Sequence, residues 1–156
     1  MPDLTIDRAR PADIPALANL LATLFAIEKD FTADADRQLR GLELLLREPE
    51  ERAAIFVARG PDHAVIGMVS AQLVVSTAEG ASSAWIEDVV VSAPHRGLGV
   101  ARRLLEAALD WASRHGATRA QLLADRANLP ARDFYRHLDW KATQLDAWRL
   151  FLRART

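Results

Sequence analysis

The feature that most constrains the fold is one stretch, 84–124. Ala84–Ser92 is apolar except for Glu87 and Asp88, Ala93–Gly99 turns through Pro94, Gly97 and Gly99, and Val100, Leu104, Leu105, Ala108 and Trp111 then recur at helical spacing as far as His115. A near-continuous apolar run of strand length is the mark of a strand buried on both faces, and the periodic run after it is an amphipathic helix. Gly116 stands where a C-terminal cap glycine belongs, and Arg119–Ala124 reads as a second strand. A strand, a helix and a strand in immediate succession form a right-handed crossover between two neighbouring parallel strands. The chain must therefore build a sheet with a parallel pair and at least one helix packed on it. Its 156 residues are enough for a single domain, 1–156, with a substantial core.

The flanking sequence adds antiparallel partners. Leu4–Ala9 alternates as a short strand, Pro11–Asp13 opens a helix whose stripe is Ile14, Leu17, Leu21 and Leu24, with Asp13 as its N-cap, and a second helix spans Asp34–Arg47 before Pro49. Ala53–Ala58 and Val65–Ser76 read as strands joined at Gly60-Pro61-Asp62, a hairpin, followed by a polar loop over Thr77–Ser83. Beyond the crossover, Asn128 caps a helix over Leu129–Leu138, and Trp140–Thr143 and Trp148–Arg153 are expected to close the sheet as a strand pair. The expected class is α/β (α+β): a mixed, mostly antiparallel sheet with a central parallel pair, flanked by about four helices.

Charge and composition narrow the function. A net charge of −1 and a pI of about 6.4 offer no electrostatic footprint for nucleic acid. The chain has no cysteine, which excludes disulfides, thiolate metal sites and a cysteine nucleophile. The four histidines, His63, His95, His115 and His137, show no metal-ligand spacing, so no metal is expected. No apolar stretch reaches membrane-spanning length and the start shows no signal-peptide pattern, so a cytoplasmic protein without a membrane partner is expected.

The turn between strand and helix carries the chemistry. Gly97 and Gly99 allow close backbone approach, the free N–H groups at the helix start attract anions, and Arg96, Arg102 and Arg103 add positive charge. Together these suit a diphosphate. A P-loop would place Lys-Ser or Lys-Thr where Val100-Ala101 stands, and a dinucleotide fingerprint would need Gly or Ala in place of Arg102. A tight turn that binds nothing is compatible with the same spacing.

The segment Arg96-Gly97-Leu98-Gly99-Val100-Ala101 resembles the Arg/Gln-x-x-Gly-x-Gly/Ala acetyl-CoA motif of the GNAT N-acetyltransferase family. Trp85–Val91 resembles the strand that precedes that motif, and Asn128-Leu129-Pro130-Ala131-Arg132-Asp133-Phe134-Tyr135 resembles the family's second CoA-contacting segment. One departure is Asp139, where the family usually has glycine; Asp tolerates the left-handed conformation better than most residues. The resemblance implies a GNAT-like fold and acetyl-CoA as co-substrate. It further implies an acyl-CoA site in which the backbones of Val89 to Val91, Val90 included, flank the pantetheine arm, residues Arg96, Gly97, Leu98, Gly99, Val100, Ala101 and Arg102 hold the pyrophosphate, and Asn128 touches the arm. Homodimers are common in the family, so the resemblance leaves a homodimer open.

Three side chains bear on acetyl transfer itself. A carboxylate can attract an ammonium and take its proton; at pH 7 only about one alkylamine in 10³ is neutral, a penalty of roughly 4 kcal/mol. Glu87 is the expected base, and strand alternation should send Glu87 and Asp88 to opposite faces. Tyr135, by resemblance, protonates the departing thiolate. Trp85–Ala101 and Trp148-Arg149-Leu150-Phe151 resemble the diamine and polyamine acetyltransferases in particular, which implies a small cationic amine as acceptor. Glu28, Phe31, Glu87, Asp88 and Trp148 are its expected contacts, because acidic and aromatic groups suit a cation. A non-catalytic acyl-CoA-binding or sensing module is the alternative, although such a module would need neither Glu87 nor Tyr135.

Overall fold

A computed structural model of the chain describes residues 3–27 and 34–153. The strands are β1 (Thr5–Arg8), β2 (Ala53–Arg59), β3 (Val65–Ser76), β4 (Ala81–Val91) and β5 (Ala117–Leu122); the helices are α1 (Ile14–Ile27), α2 (Ala35–Arg47), α3 (Val100–Arg114) and α4 (Leu129–His137). The sheet order follows the chain, β1-β2-β3-β4-β5, with every pairing antiparallel except β4–β5. No helix among the described residues is long and apolar enough to cross a membrane.

Contacts divide the chain into two units, Met1–Leu123 and Ala124–Thr156. The first holds the whole sheet. One sheet face packs on α1 and α2 through Leu17, Leu20, Leu21, Leu42, Ile55, Val57, Met68 and Val90. Side chains alternate along β3, so Gly67 points the other way, and a Cβ there would press on Leu104 and Val100 of α3 at 3.1 and 3.3 Å. Helix α3 therefore lies on the opposite face, as a crossover between β4 and β5 requires. The boundaries that differ most from the sequence reading are those of β4 and β5. Strand β4 starts at Ala81 rather than Ala84, because Ser82 and Ser83 continue the pairing with Val75 and Val74 and the buried Ser83 hydroxyl accepts from Arg119 Nε at 3.3 Å. Strand β5 is correspondingly shifted to begin at Ala117, directly after Gly116 with φ 91°.

Asp13 is in a 3-10 turn, Pro11–Asp13, that leads into α1. Its carboxylate accepts the Arg10 N–H at 2.8 Å and both terminal nitrogens of Arg59 at 2.9 and 2.8 Å, while Arg59 Nε reaches Asp7 at 3.1 Å. Asp13 is buried and the Arg59 side chain is 12% exposed, and the Arg59 guanidinium holds the Asp13 carboxyl below the usual carboxylate range. A folded-state value below the unfolded one means the stabilisation is present above the unfolded value, near 3.8, and lost as pH falls through the folded value. Asp13→Asn should cost about 3 kcal/mol at pH 7, in the range for breaking a buried pair. Urea unfolding of both proteins should show that gap narrowing toward pH 3, as wild type protonates; a gap independent of pH would remove the ion pair from the account.

In the second unit, Asn128 Oδ1 caps α4 by accepting the Ala131 N–H at 3.2 Å. The helix ends in a Schellman arrangement, with Trp140 N–H donating to Tyr135 O at 2.9 Å and Asp139 N–H to Arg136 O at 3.0 Å. Asp139 takes φ 68°, the left-handed conformation expected of the residue replacing glycine. The strand pair expected over Trp140–Thr143 and Trp148–Arg153 is corrected: residues 141–153 carry no strand, and Leu145, Trp148, Leu150, Phe151 and Leu152 are exposed. An apolar, strand-patterned segment becomes a strand only where a neighbour supplies the hydrogen-bond ladder, and none is supplied among the described residues. The parallel pair β4–β5 thus stands at one end of the five-strand order.

Candidate active site

The crossover places an open strand edge beside a helix start. Ile86↔Leu122 is the last β4–β5 pair, so among the described residues no strand pairs with β4 on that edge from Glu87 to Val91. Ser92 N–H donates to Ile66 O across β3 at 2.8 Å. Backbone groups alternate along an extended strand, so those of Val91 and Val89 point to the open edge. Val91 O there accepts from Arg96 Nε at 3.0 Å. The Val90 side chain is in the core with α1 and α2.

Past Val91 the chain turns through Ala93–His95, where Ser92 Oγ and His95 Nδ1 lie 2.8 Å apart, and reaches Gly97 and Gly99. Both are left-handed, φ 77° and 80°, and a Cβ on either would meet nothing within 4 Å. The glycines are required by backbone conformation, and the space above them is clear. Gly99 is the N-cap of α3 without a side-chain partner, and the first N–H groups of a helix have no partners within it. Gly97 to Arg102 therefore present a row of donors at the positive end of a helix dipole, next to an open strand edge. That combination fits a diphosphate joined to an extended arm. Val100 itself is buried against Gly67, so it can offer only its backbone; Leu98 is half exposed.

The arginines divide. Arg96 ties the loop to β4 through Val91 O, Arg102 pairs with Glu106 at 3.0 Å on the exposed helix face, and Arg103 Nη1 donates to Leu4 O at 3.1 Å. Arg103 is thus engaged at Leu4, just before β1, a correction to its expected place in the anion cradle.

A bulge reorganises the carboxylates. On β3, Met68 pairs with Val90 and Ser70 with Glu87, so Val69 alone is opposite both Asp88 and Val89. Asp88 adopts φ 57°, a conformation that costs an L-residue about 1–2 kcal/mol. The extra residue reverses the alternation: Glu87 shares a face with its partner Ser70, and Ser70 Oγ lies 3.1 Å from Asp88 Oδ2. The expectation that Glu87 and Asp88 point to opposite faces is therefore corrected; both carboxylates belong to the face that carries α1 and α2. Glu87 is exposed rather than buried in the apolar strand, and its Oε1 accepts from the Trp85 indole N–H.

The first unit thus gathers Glu87 and Asp88, Val89 to Val91 and Arg96 to Arg102 along one strand–loop–helix path. Asn128, Tyr135 and Trp148 belong to the second unit: Asn128 as the α4 cap, Tyr135 half-buried with its ring 6.0 Å from that of Trp140, Trp148 exposed. Glu28 and Phe31 lie outside the described residues. Sequence reasoning passed over Ser70 and Trp85. Ser70 had a legible signal, a lone hydroxyl inside the apolar run Ile66–Ala71.

The sequence matches the profile of the acetyltransferase (GNAT) family over residues 15–140. The chain belongs to the GNAT acetyltransferase family. Acetyl-CoA is the co-substrate of GNAT enzymes, and the left-handed glycines with clear space above them fit its diphosphate. No curated protein matches the sequence. Solved structures share the GNAT fold. A possible acetyltransferase from Clostridium difficile 630 is 18% identical with a TM-score of 0.84, covering 97% of this chain and 99% of its own. A transcriptional regulator from Bacillus halodurans C-125 is 23% identical with a TM-score of 0.82, covering 95% and 99%. The aminoglycoside acetyltransferase meta-AAC0020 from an uncultured soil metagenomic sample, in complex with sisomicin, is 20% identical with a TM-score of 0.77, covering 97% and 98%.

Proposed function

We propose that this GNAT protein is an acetyl-CoA-dependent N-acetyltransferase that moves an acetyl group to a primary amine of small di- or polyamine type, by direct attack in a ternary complex. The observation that carries the reading is the bulge at Asp88, which sets two carboxylates on one sheet face at the same point where the other edge of β4 opens. When bound, acetyl-CoA supplies an activated thioester. The N–H groups of Gly97 to Arg102 hold its diphosphate, with Asn128 and the edge groups of Val89 and Val91 along its arm. Glu87 takes the proton of the incoming ammonium, Asp88 adds to the negative potential that draws the cation in, and Tyr135 protonates the leaving sulfur. Glu28, Phe31 and Trp148 complete the acceptor contacts in this reading. The neighbour meta-AAC0020 is an aminoglycoside acetyltransferase solved in complex with sisomicin, which is in keeping with an amine acceptor.

Turnover of acetyl-CoA over a panel of amines tests the reading: mono-, di- and polyamines, an aminoglycoside and a lysine peptide. Diamines or polyamines should be acetylated fastest. Binding of CoA without turnover of any amine would instead leave a sensing module. Glu87→Gln, which keeps an acceptor for the Trp85 indole, should lower the rate at pH 7 about tenfold or more and recover part of it toward pH 9. More amine then arrives neutral, and the recovery should follow the amine's own titration. A uniform loss across pH would take proton removal away from Glu87.

A further inference from the structure

The Asp88 bulge has an unusual fastening. Ser70 is 2% exposed, in the middle of β3, and its Oγ lies 3.2 Å from Glu87 O and 3.1 Å from Asp88 Oδ2. One buried hydroxyl therefore spans Glu87, the last regularly paired residue before the bulge, and Asp88, the first residue of the bulge. A hydroxyl has one proton, which it can share between these two acceptors or give to either. Each contact holds a different part of the distortion. The bond to Glu87 O fixes the residue before the left-handed step, and the contact with Asp88 Oδ2 fixes the side chain that the step redirects. The surrounding β3 residues, Ile66, Gly67, Met68, Val69 and Ala71, carry no side-chain hydrogen-bonding group, so Ser70 is alone in that run in being able to do this.

We infer that Ser70 is a positioning residue for acetyl transfer: it locks the β4 bulge, and through it sets the direction of the Glu87 carboxylate and the register of the Val89–Val91 edge. Without the lock, the favoured relaxation is toward regular pairing, which would return Glu87 to the α3 face and change which backbone groups face the open edge. Ser70 touches neither reactant and acts through Glu87, Asp88 and the β4 backbone. The inference rests on the proposed acetyltransferase reading for its effect on rate, and on the bulge alone for its effect on structure.

The experiment uses the full chain with Ser70→Ala, which removes the hydroxyl at nearly constant shape, and Ser70→Thr, which keeps it. Ser83→Ala is the control, because Ser83 is equally buried on the neighbouring strand but bonds to Arg119 instead. In hydrogen exchange, Ser70→Ala should speed exchange at Asp88 to Val90 about tenfold while β2 and α3 keep their protection, and Ser83→Ala should leave Asp88 to Val90 unchanged. Kinetically, Ser70→Ala should lower kcat for the preferred amine about tenfold with the KM for acetyl-CoA changed less than threefold, and Ser70→Thr should restore most of it. In the double variant with Glu87→Gln, the two losses should not multiply, since both act on the same carboxylate. Unchanged exchange at Asp88 to Val90 in Ser70→Ala overturns the lock, whether or not any amine is turned over. Faster exchange with wild-type kcat, or losses that multiply, overturns the positioning role. Absence of turnover by wild type with every amine refutes the acetyltransferase reading instead, and leaves the exchange result to decide the lock.

Discussion

Gly99→Glu is expected to weaken CoA binding by about 10²–10³-fold while the protein stays folded. Gly99 is the N-cap of α3, left-handed at φ 80°, with nothing within 4 Å of an added Cβ. A glutamate there enters the space assigned to the diphosphate and meets it with like charge. Two unit charges about 4 Å apart near a protein surface interact by roughly 4 kcal/mol, which sets the size of the effect. Part of any loss will come from backbone strain, about 1–2 kcal/mol on stability. Gly99→Ala carries the same strain without the charge, and Gly80→Glu puts the same charge at another left-handed glycine, in the β3–β4 turn. Calorimetric titration with CoA should rank Gly99→Glu far weakest, with Gly80→Glu at the wild-type value. Equal affinity in a folded Gly99→Glu protein would dissociate the loop from the cofactor.

Tyr135→Phe is expected to reduce kcat by about 10- to 10³-fold, the usual range for losing one proton donor, with CoA affinity nearly unchanged. Its ring lies 5.4 Å from that of Phe134 and 6.0 Å from that of Trp140 against the C-terminal end of α4, and phenylalanine preserves those ring contacts. The Trp140 N–H to Tyr135 O bond is a backbone bond and is also kept. A rate deficit therefore isolates the hydroxyl. It should be smaller for acyl donors whose thiol leaves more readily, because a better leaving group needs its proton less. A wild-type kcat would restrict Tyr135 to packing.

The sequence by itself determined every element whose cause is local. The strand–glycine–helix path to α3, the stripe of α1, the Asn128 cap and the left-handed Asp139 all follow from side chains acting on their own few residues. The left-handed glycines and the helix start, on which the proposed diphosphate site rests, were legible for the same reason, since they are properties of one short segment. What only the tertiary structure decided depends on partners far along the chain. The bulge at Asp88 forms where β4 is paired with β3, with the Ser70 hydroxyl 18 positions away in contact with the Asp88 carboxylate, and it overrode the simple alternation that would have split Glu87 from Asp88. Arg103 was diverted from the cradle by a carbonyl 99 positions away. The strand pattern at residues 148–153 names a propensity, whereas a strand exists only where a second backbone completes its hydrogen bonds.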